Sequence, residues 1–232
     1  IDRFWVVNQD QKSVSVFDAT TNARIKIITV GTAPRSVAVA PNGEIWVTNK
    51  GAASISVINP SSLAVIRTIS LPFASLPHGI IAAPTGAAMY VALEGTGRVL
   101  KIDPASGNAL ASIDVGPSVR QLSMSGDGSR LYVSRFITPP LPGESTAVVQ
   151  TQAGGQPVGG EIVVVNGATL TVLQTLVLRH SDKPDFENQG RGIPNYLGAV
   201  AISPDGQSAW VPSKQDNVQR GCPAYESFIG DP

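Results

Sequence analysis

A unit of about forty residues repeats through this chain, and self-similarity at that period restricts the fold to repeat architectures. Each copy closes a strand with a glycine turn and then places an aromatic residue before a valine. The turns are Pro41-Asn42-Gly43, Pro84-Thr85-Gly86, Gly126-Asp127-Gly128 and Pro204-Asp205-Gly206. The aromatics that follow are Trp46, Tyr90, Tyr132 and Trp210, and Trp5 opens the chain in the same role. The interval between the last two turns is one repeat plus an insertion.

Period-two alternation of apolar residues marks short strands, and a full unit holds four. Strand A is Ser36–Val39, Gly79–Ala82, Gln121–Met124 and Ala199–Ile202. Strand B carries the aromatic, strand C follows as Ser54–Ile58, Arg98–Ile102 and Glu161–Val165, and strand D as Val65–Ile69, Ala109–Ile113 and Val172–Leu176. The C-to-D connections read as Asx or Pro turns, because Asp and Asn side chains bond their own backbone and Pro presets φ. No amphipathic helix is visible. The pattern predicts an all-β fold, a β-propeller of four-stranded antiparallel blades.

The units run B-C-D, then three times A-B-C-D, then A-B, or about four blades where propellers of this kind usually have six to eight. Unpaired strand edges at both ends are a liability that soluble proteins avoid. The expectation is therefore part of a larger, seven-bladed propeller over 1–221, with repeats near 4–43, 44–86, 87–128, 129–206 and 207–221 and a tail of unclear structure at 222–232. A four-bladed ring closed by the last A strand is the other reading, and the extra terminal B strand argues against it.

Composition narrows the function classes. Formal net charge is zero and only 15% of residues are charged, so no electrostatic footprint for nucleic acid or an anionic membrane stands out. No apolar run approaches the ~20 residues that span a bilayer as a helix. One cysteine, Cys222, excludes an internal disulfide framework. The chain opens at Ile1, already inside a strand-like run, so the natural start is expected to lie upstream, and no signal peptide is read from it.

Trp46-Val47-Thr48-Asn49 resembles the strand that names the YVTN family of propeller repeats, with weaker matches at Tyr90-Val91-Ala92-Leu93 and Tyr132-Val133-Ser134-Arg135. The resemblance covers 1–136 and 161–215, and it implies an exported bacterial or archaeal protein, periplasmic or extracellular. A second stretch, Arg191-Gly192-Ile193-Pro194-Asn195-Tyr196-Leu197-Gly198-Ala199 with Ala209-Trp210-Val211-Pro212-Ser213-Lys214-Gln215-Asp216-Asn217, resembles exported proteins that join such a propeller to a di-haem cytochrome c peroxidase-like domain. That resemblance implies haem c in a partner domain outside this segment. This chain has no Cys-Xaa-Xaa-Cys-His motif, Cys222 does not begin one, and no cofactor is expected within these residues.

Antiparallel alternation places D-to-A and B-to-C connections on one face and the tight A-to-B and C-to-D turns on the other. Both long insertions, 136–160 and 179–194, fall on the first face, and loops grown on a rigid scaffold are where binding settles. The starts of the A strands, Arg35, His78, Arg120 and Tyr196, gather on the same face, and Lys214 joins them as a partner-binding candidate. Two guanidinium forks and a histidine suit an anionic group; the bland reading is a solvated rim.

The run Pro77-His78-Gly79-Ile80 through Tyr90-Val91-Ala92-Leu93-Glu94 resembles a repeat of the streptogramin B lyases, which implies a His78–Glu94 acid/base pair. Residues 180–189 gather one His, three carboxylates and two amides. Their spacing matches no compact calcium loop, so a solvated loop is expected and no metal. Asp127 and Asp205 read as turn formers. No Gly-Xaa-Ser-Xaa-Gly elbow appears, and Gly154-Gly155 and Gly159-Gly160 lack the setting of a phosphate loop. The sequence therefore reads as a non-catalytic propeller scaffold whose loop-rich face binds a protein or a neighbouring domain, which the second resemblance implies is a peroxidase-like module. The alternative is a lyase or lactonase acting at the channel mouth through His78 and Glu94.

Overall fold

The computed structural model describes residues 2–139, 141, 150, 152–181 and 192–216. The first sheet has three antiparallel strands, β1 (Arg3–Asn8), β2 (Ser13–Asp18) and β3 (Arg24–Thr29). The second has four, β4 (Pro34–Val39), β5 (Ile45–Asn49), β6 (Ser54–Asn59) and β7 (Ala64–Ser70), and the third repeats it with β8 (Pro77–Ala82), β9 (Met89–Leu93), β10 (Arg98–Ile102) and β11 (Ala109–Asp114). The fourth sheet pairs β12 (Val119–Met124) with β13 (Arg130–Arg135), and is interrupted by the small hairpin β14 (Gln152–Ala153) and β15 (Gln156–Pro157). It is completed by β16 (Gly159–Asn166) and β17 (Val172–Arg179). The fold is all-β, with no helix among the described residues, and the sheets are propeller blades.

Alternation explains the stacking. In β5, Ile45 and Val47 pack with Val14 and Val16 of the first sheet, while Trp46 packs with Ile80, Met89 and Val91 of the third. In β9, Tyr90 and Ala92 turn to the fourth sheet and meet Leu131 and Val133. Each blade is thus apolar on both faces, and Trp46, Tyr90 and Tyr132 point toward the unit that follows. The first strands lie side by side, β4 against β8 and β8 against β12, which makes them the inner edge. The fourth strands are mostly exposed. The first sheet has no counterpart of strand A, and on β1 Phe4 and Val6 are 40% and 41% exposed where Ile45 and Val47 are buried.

Turn chemistry follows the sequence. Gly43, Gly86, Gly128 and Gly206 adopt φ of 82°, 76°, 72° and 69°, the left-handed region that favours glycine. Asp18, Asn59 and Asn166 each accept two backbone N–H bonds within their own C-to-D turns, and Asp103 accepts one from Ala105 together with the Ser106 hydroxyl. Gly154 and Gly155, at φ 57° and 77°, form the two-residue turn of the β14–β15 hairpin.

Basic side chains then tie each blade to the next blade's C-to-D turn. Arg3 donates to the Pro60 carbonyl, Arg67 to those of Pro104 and Ala105, and Lys101 to those of Gly167 and Ala168. Tyr90 adds its hydroxyl to the Gly167 carbonyl, with Lys101 Nζ 5.8 Å from the ring centroid. Burial holds the Tyr90 phenol above its ordinary pKa, so it remains a donor. Because Gly167 keeps one partner when the other is lost, Tyr90→Phe or Lys101→Met alone should cost about 1 kcal/mol. The double variant leaves the carbonyl unpaired and should cost more than the sum, a non-additivity that urea denaturation of the four chains measures.

The fifth unit departs from the expected pattern. Its A and B strands were expected at 199–202 and 209–211. They pair instead in two pieces, β18 (Ile193–Asn195) with β21 (Lys214–Asp216), and β19 (Ala201–Ile202) with β20 (Ala209–Trp210). Between them Gly198 N–H donates to the Pro212 carbonyl at 2.8 Å. Pro212 has no N–H to return, which breaks the ladder there.

Candidate functional site

Every complete A strand is irregular at its start. The register slips between Pro34 and Val37 in β4, between Pro77 and Ile80 in β8, and between Val119 and Gln121 in β12. Arg35, His78 and Arg120 occupy these three bulges. Bulges re-aim side chains, and here all three lie half-buried at the same end of the inner edge. The three predicted positions are therefore equivalent.

A second set of equivalent positions, the residue after each B strand, completes the site: Gln9, Lys50, Glu94 and Phe136. Arg35 donates to the side-chain oxygen of Gln9. Arg120 Nε and Nη2 approach Glu94 Oε1 at 2.9 and 2.8 Å, and Lys50 Nζ approaches Glu94 Oε2 at 2.6 Å. The Arg120 guanidinium also lies over the Phe136 ring, 3.6 Å from its centroid. Phe136 meets Tyr196 edge-on at 5.0 Å, and Lys214 Nζ stands 5.2 Å from the Tyr196 centroid while pairing with Asp216 at 2.8 Å. Asn195 ties this end down by bonding Asp216 at 2.9 Å and accepting the Thr138 N–H at 2.9 Å. Four candidates, Glu94, Arg120, Tyr196 and Lys214, thus fall on one line, with His78 and Arg35 beside it.

Glu94 is committed on both oxygens. Burial pushes its pKa up, but hydrogen bonds and charge from Lys50 and Arg120 more than offset that and hold it below the usual carboxylate range. Burial pushes His78 down; Glu94 pulls it up, and Arg120, Lys50 and Arg35 push it further down, to about 4. The imidazole is neutral at pH 7. Its Nδ1 is buried without a partner, and no hydrogen bond joins it to Glu94 among the described residues. The two groups are neighbours without being an acid/base pair. Arg35 has a buried Nε without a partner and forms no ion pair among the described residues, so with Lys50 and Arg120 sharing Glu94 this end of the described site carries an excess of positive charge.

Sequence reasoning missed Gln9, Lys50, Phe136 and Asp216. The signal was present, since the first three stand one residue after the strand that carries the aromatic, the column in which Glu94 was noticed. At the column before it, the blades differ: Asn8 bonds Ser13 and Ser15, Asn49 bonds Ser54 and Ser56, Leu93 is apolar, and Arg135 pairs with Glu161. Most of 140–149, the 182–190 part of the His/carboxylate segment, Arg191, and Cys222 with the 222–232 tail lie outside the described residues. Among the described residues no three His, Cys, Asp or Glu side chains gather as metal ligands, and no helix is long and apolar enough to cross a membrane.

No protein-family model and no curated protein matches the chain. Among solved structures it superposes on hydrazine synthase of Kuenenia stuttgartiensis with a TM-score of 0.72 at 22% identity, over 92% of this chain and 53% of that one. It superposes on virginiamycin B lyase of Staphylococcus aureus with a TM-score of 0.64 at 12% identity, over 92% of this chain and 60% of that one. Both are β-propeller-like. At these identities the likeness is one of fold, and the chain spans 53% and 60% of the length of these two proteins.

Proposed function

We propose that this chain is a non-catalytic propeller segment of a larger exported bacterial protein, of the YVTN type, whose loop-bearing face docks a partner protein or a neighbouring domain. The observation that carries the reading is the fixed line of side chains from Lys50 through Glu94, Arg120, Phe136 and Tyr196 to Lys214. Pre-ordered charged and aromatic groups lose little freedom on association, which favours binding. The same line supports docking over catalysis, because both Glu94 oxygens are engaged by cations and His78, with its pKa lowered to about 4, is a weak base without a hydrogen bond to Glu94. A c-type cytochrome peroxidase-like module is the partner the sequence resemblance favours, with haem c held by that module and a periplasmic or extracellular location.

The test uses the full-length protein purified gently from its source. Arg35→Glu and Lys214→Glu should each shrink the native assembly seen by size exclusion and weaken it at least tenfold, since reversed charge at an interface repels the proper partner. Haem absorbance in the co-eluting material would support the peroxidase-like module. An assembly untouched by both reversals, together with lyase turnover lost in His78→Ala, would overturn docking in favour of the channel-mouth enzyme.

A further inference from the structure

The three connections that lead into complete A strands share a plan. Val30-Gly31-Thr32-Ala33 and Val115-Gly116-Pro117-Ser118 each span four residues and end on a left-handed residue, Ala33 at φ 49° and Ser118 at φ 62°. The connection from β7 to β8 ends the same way, on Leu76 at φ 49°, but it is two residues longer. The added length forms a turn closed by Ser75 N–H donating to the Pro72 carbonyl at 3.1 Å, with Phe73 and Ala74 as its central residues. Ala74 has φ 58° at the position where such turns favour glycine, so its backbone is strained. Phe73 at the apex is 96% exposed.

The loop is firmly held. Leu71 N–H donates to Ala53 O at 2.9 Å, Gly95 N–H to Ser75 O at 3.0 Å and Glu94 N–H to Leu76 O at 3.2 Å. A side chain at Gly95 would collide with the Ala74 carbonyl. A displayed aromatic whose backbone is already fixed loses little freedom on association and suits the anchor of a protein interface. Leu71 to Pro77 holds no charged residue, and Gly51-Ala52-Ala53 and Gly95-Thr96-Gly97 flank it, with the Asp114 carboxylate in the cleft beside the second of these. Ile137 (47% exposed) and Tyr196 (42%) lie on the same loop-bearing face. Inward, among the described residues, Lys50 and Arg120 share one ion-paired carboxylate, Glu94, and Arg35 pairs with the amide of Gln9.

We infer that Phe73 is the anchor of a docking surface for a second protein, one that presents an apolar pocket bordered by carboxylates on the side facing Arg35, Lys50 and Arg120. The inference rests on the docking reading above and adds the residue and the chemistry of the partner. The apolar apex calls for a pocket, and the excess of inner-edge cations calls for acidic groups beside it.

A photoreactive benzoylphenylalanine at position 73 of the full-length protein, irradiated in the native cells, tests it. The same group at Val39, 58% exposed near the A-to-B end of β4, is the control. The expected result is a position-73 adduct with one other protein, mapped to apolar residues flanked by Asp or Glu. Phe73→Ser should then weaken that complex about 10- to 100-fold, while Phe73→Trp retains it. Adducts with lipid, with a second copy or with this protein's own chain would overturn the inference, as would no adduct or a mapped site without carboxylates. If Arg35→Glu dissolves the assembly and Phe73→Ser does not, the docking reading stands and the anchor fails; if neither does, both fail.

Discussion

Trp46→Ala should destabilise the protein by about 3–5 kcal/mol, the range for emptying a large buried aromatic site. Trp46 has no exposed surface and lies between the second and third blades against Ile55, Val57, Ile80, Met89 and Val91. Its loss also undoes a polar arrangement built on the ring. The Arg67 guanidinium lies 5.5 Å from the ring centroid, and Arg67 pairs with Glu44 at 2.9 Å while reaching the third blade's Pro104 and Ala105 carbonyls at 2.8 Å. The comparison is Leu110→Ala on the exposed fourth strand of the third blade, where a change within about 0.5 kcal/mol is expected. Urea denaturation of the two variants decides. Equal costs would mean that the second and third blades do not meet on Trp46. A domain has only about 5–15 kcal/mol in all, so the predicted loss is a large share of it.

What was legible in the sequence is what neighbours in the chain decide. The glycine turns, the Asx turns and the alternation of β4 to β13 follow from backbone preference and from apolar residues facing both ways, and they were read nearly to the residue. The blade plan followed because the repeat gave each pattern several independent instances. The fifth unit was read less well because Pro212 breaks one strand, and the pairing that continues beyond it, Ile193 with Asp216, joins residues whose own pattern is polar. The β14–β15 hairpin was missed because two-residue strands carry no periodicity; only Gly154-Gly155 hinted at a turn.

The candidate site was half legible for a related reason. Arg35, His78 and Arg120 were found by aligning strand starts, and Tyr196 by the same logic in a unit whose strand is broken. Their partners required the register between neighbouring blades, which depends on tertiary packing. The bulges at Pro34, Pro77 and Val119 leave no periodic trace, yet they aim the three side chains. Phe73 was passed over because a two-residue lengthening is small beside the insertions at 136–160 and 179–194. Only the sister connections, four residues long, make it visible as a departure.

Lowering the pH from 6.5 to about 4 should cost the protein stability, and His78 should be the reason. The folded imidazole takes its proton near 4, while the unfolded chain takes it near the ordinary 6.5. Across that window the unfolded state binds more protons, so stability rises with pH; the contribution is complete above 6.5 and is lost as pH falls through the folded value. At about 1.4 kcal/mol per pH unit, discounted because the ring is only half-buried and partly screened by solvent, the loss is about 2 kcal/mol. Glu94, held below its ordinary value by Lys50 and Arg120, adds a loss of the same sign at lower pH. His78→Gln should flatten the stability profile between 6.5 and 4. Glu94→Gln should move the His78 titration lower still, because Glu94 is the one neighbour that favours the imidazolium while Arg35, Lys50 and Arg120 remain. The chain has two histidines, so proton NMR with His180→Gln for assignment reads the titration directly. A midpoint near 4 means an imidazole that stays neutral across physiological pH, leaving the face's charge to its arginines and lysines. A midpoint near 6.5 or above would mean that the cations do not reach it, would free His78 to exchange protons, and would put the lyase or lactonase reading ahead of docking.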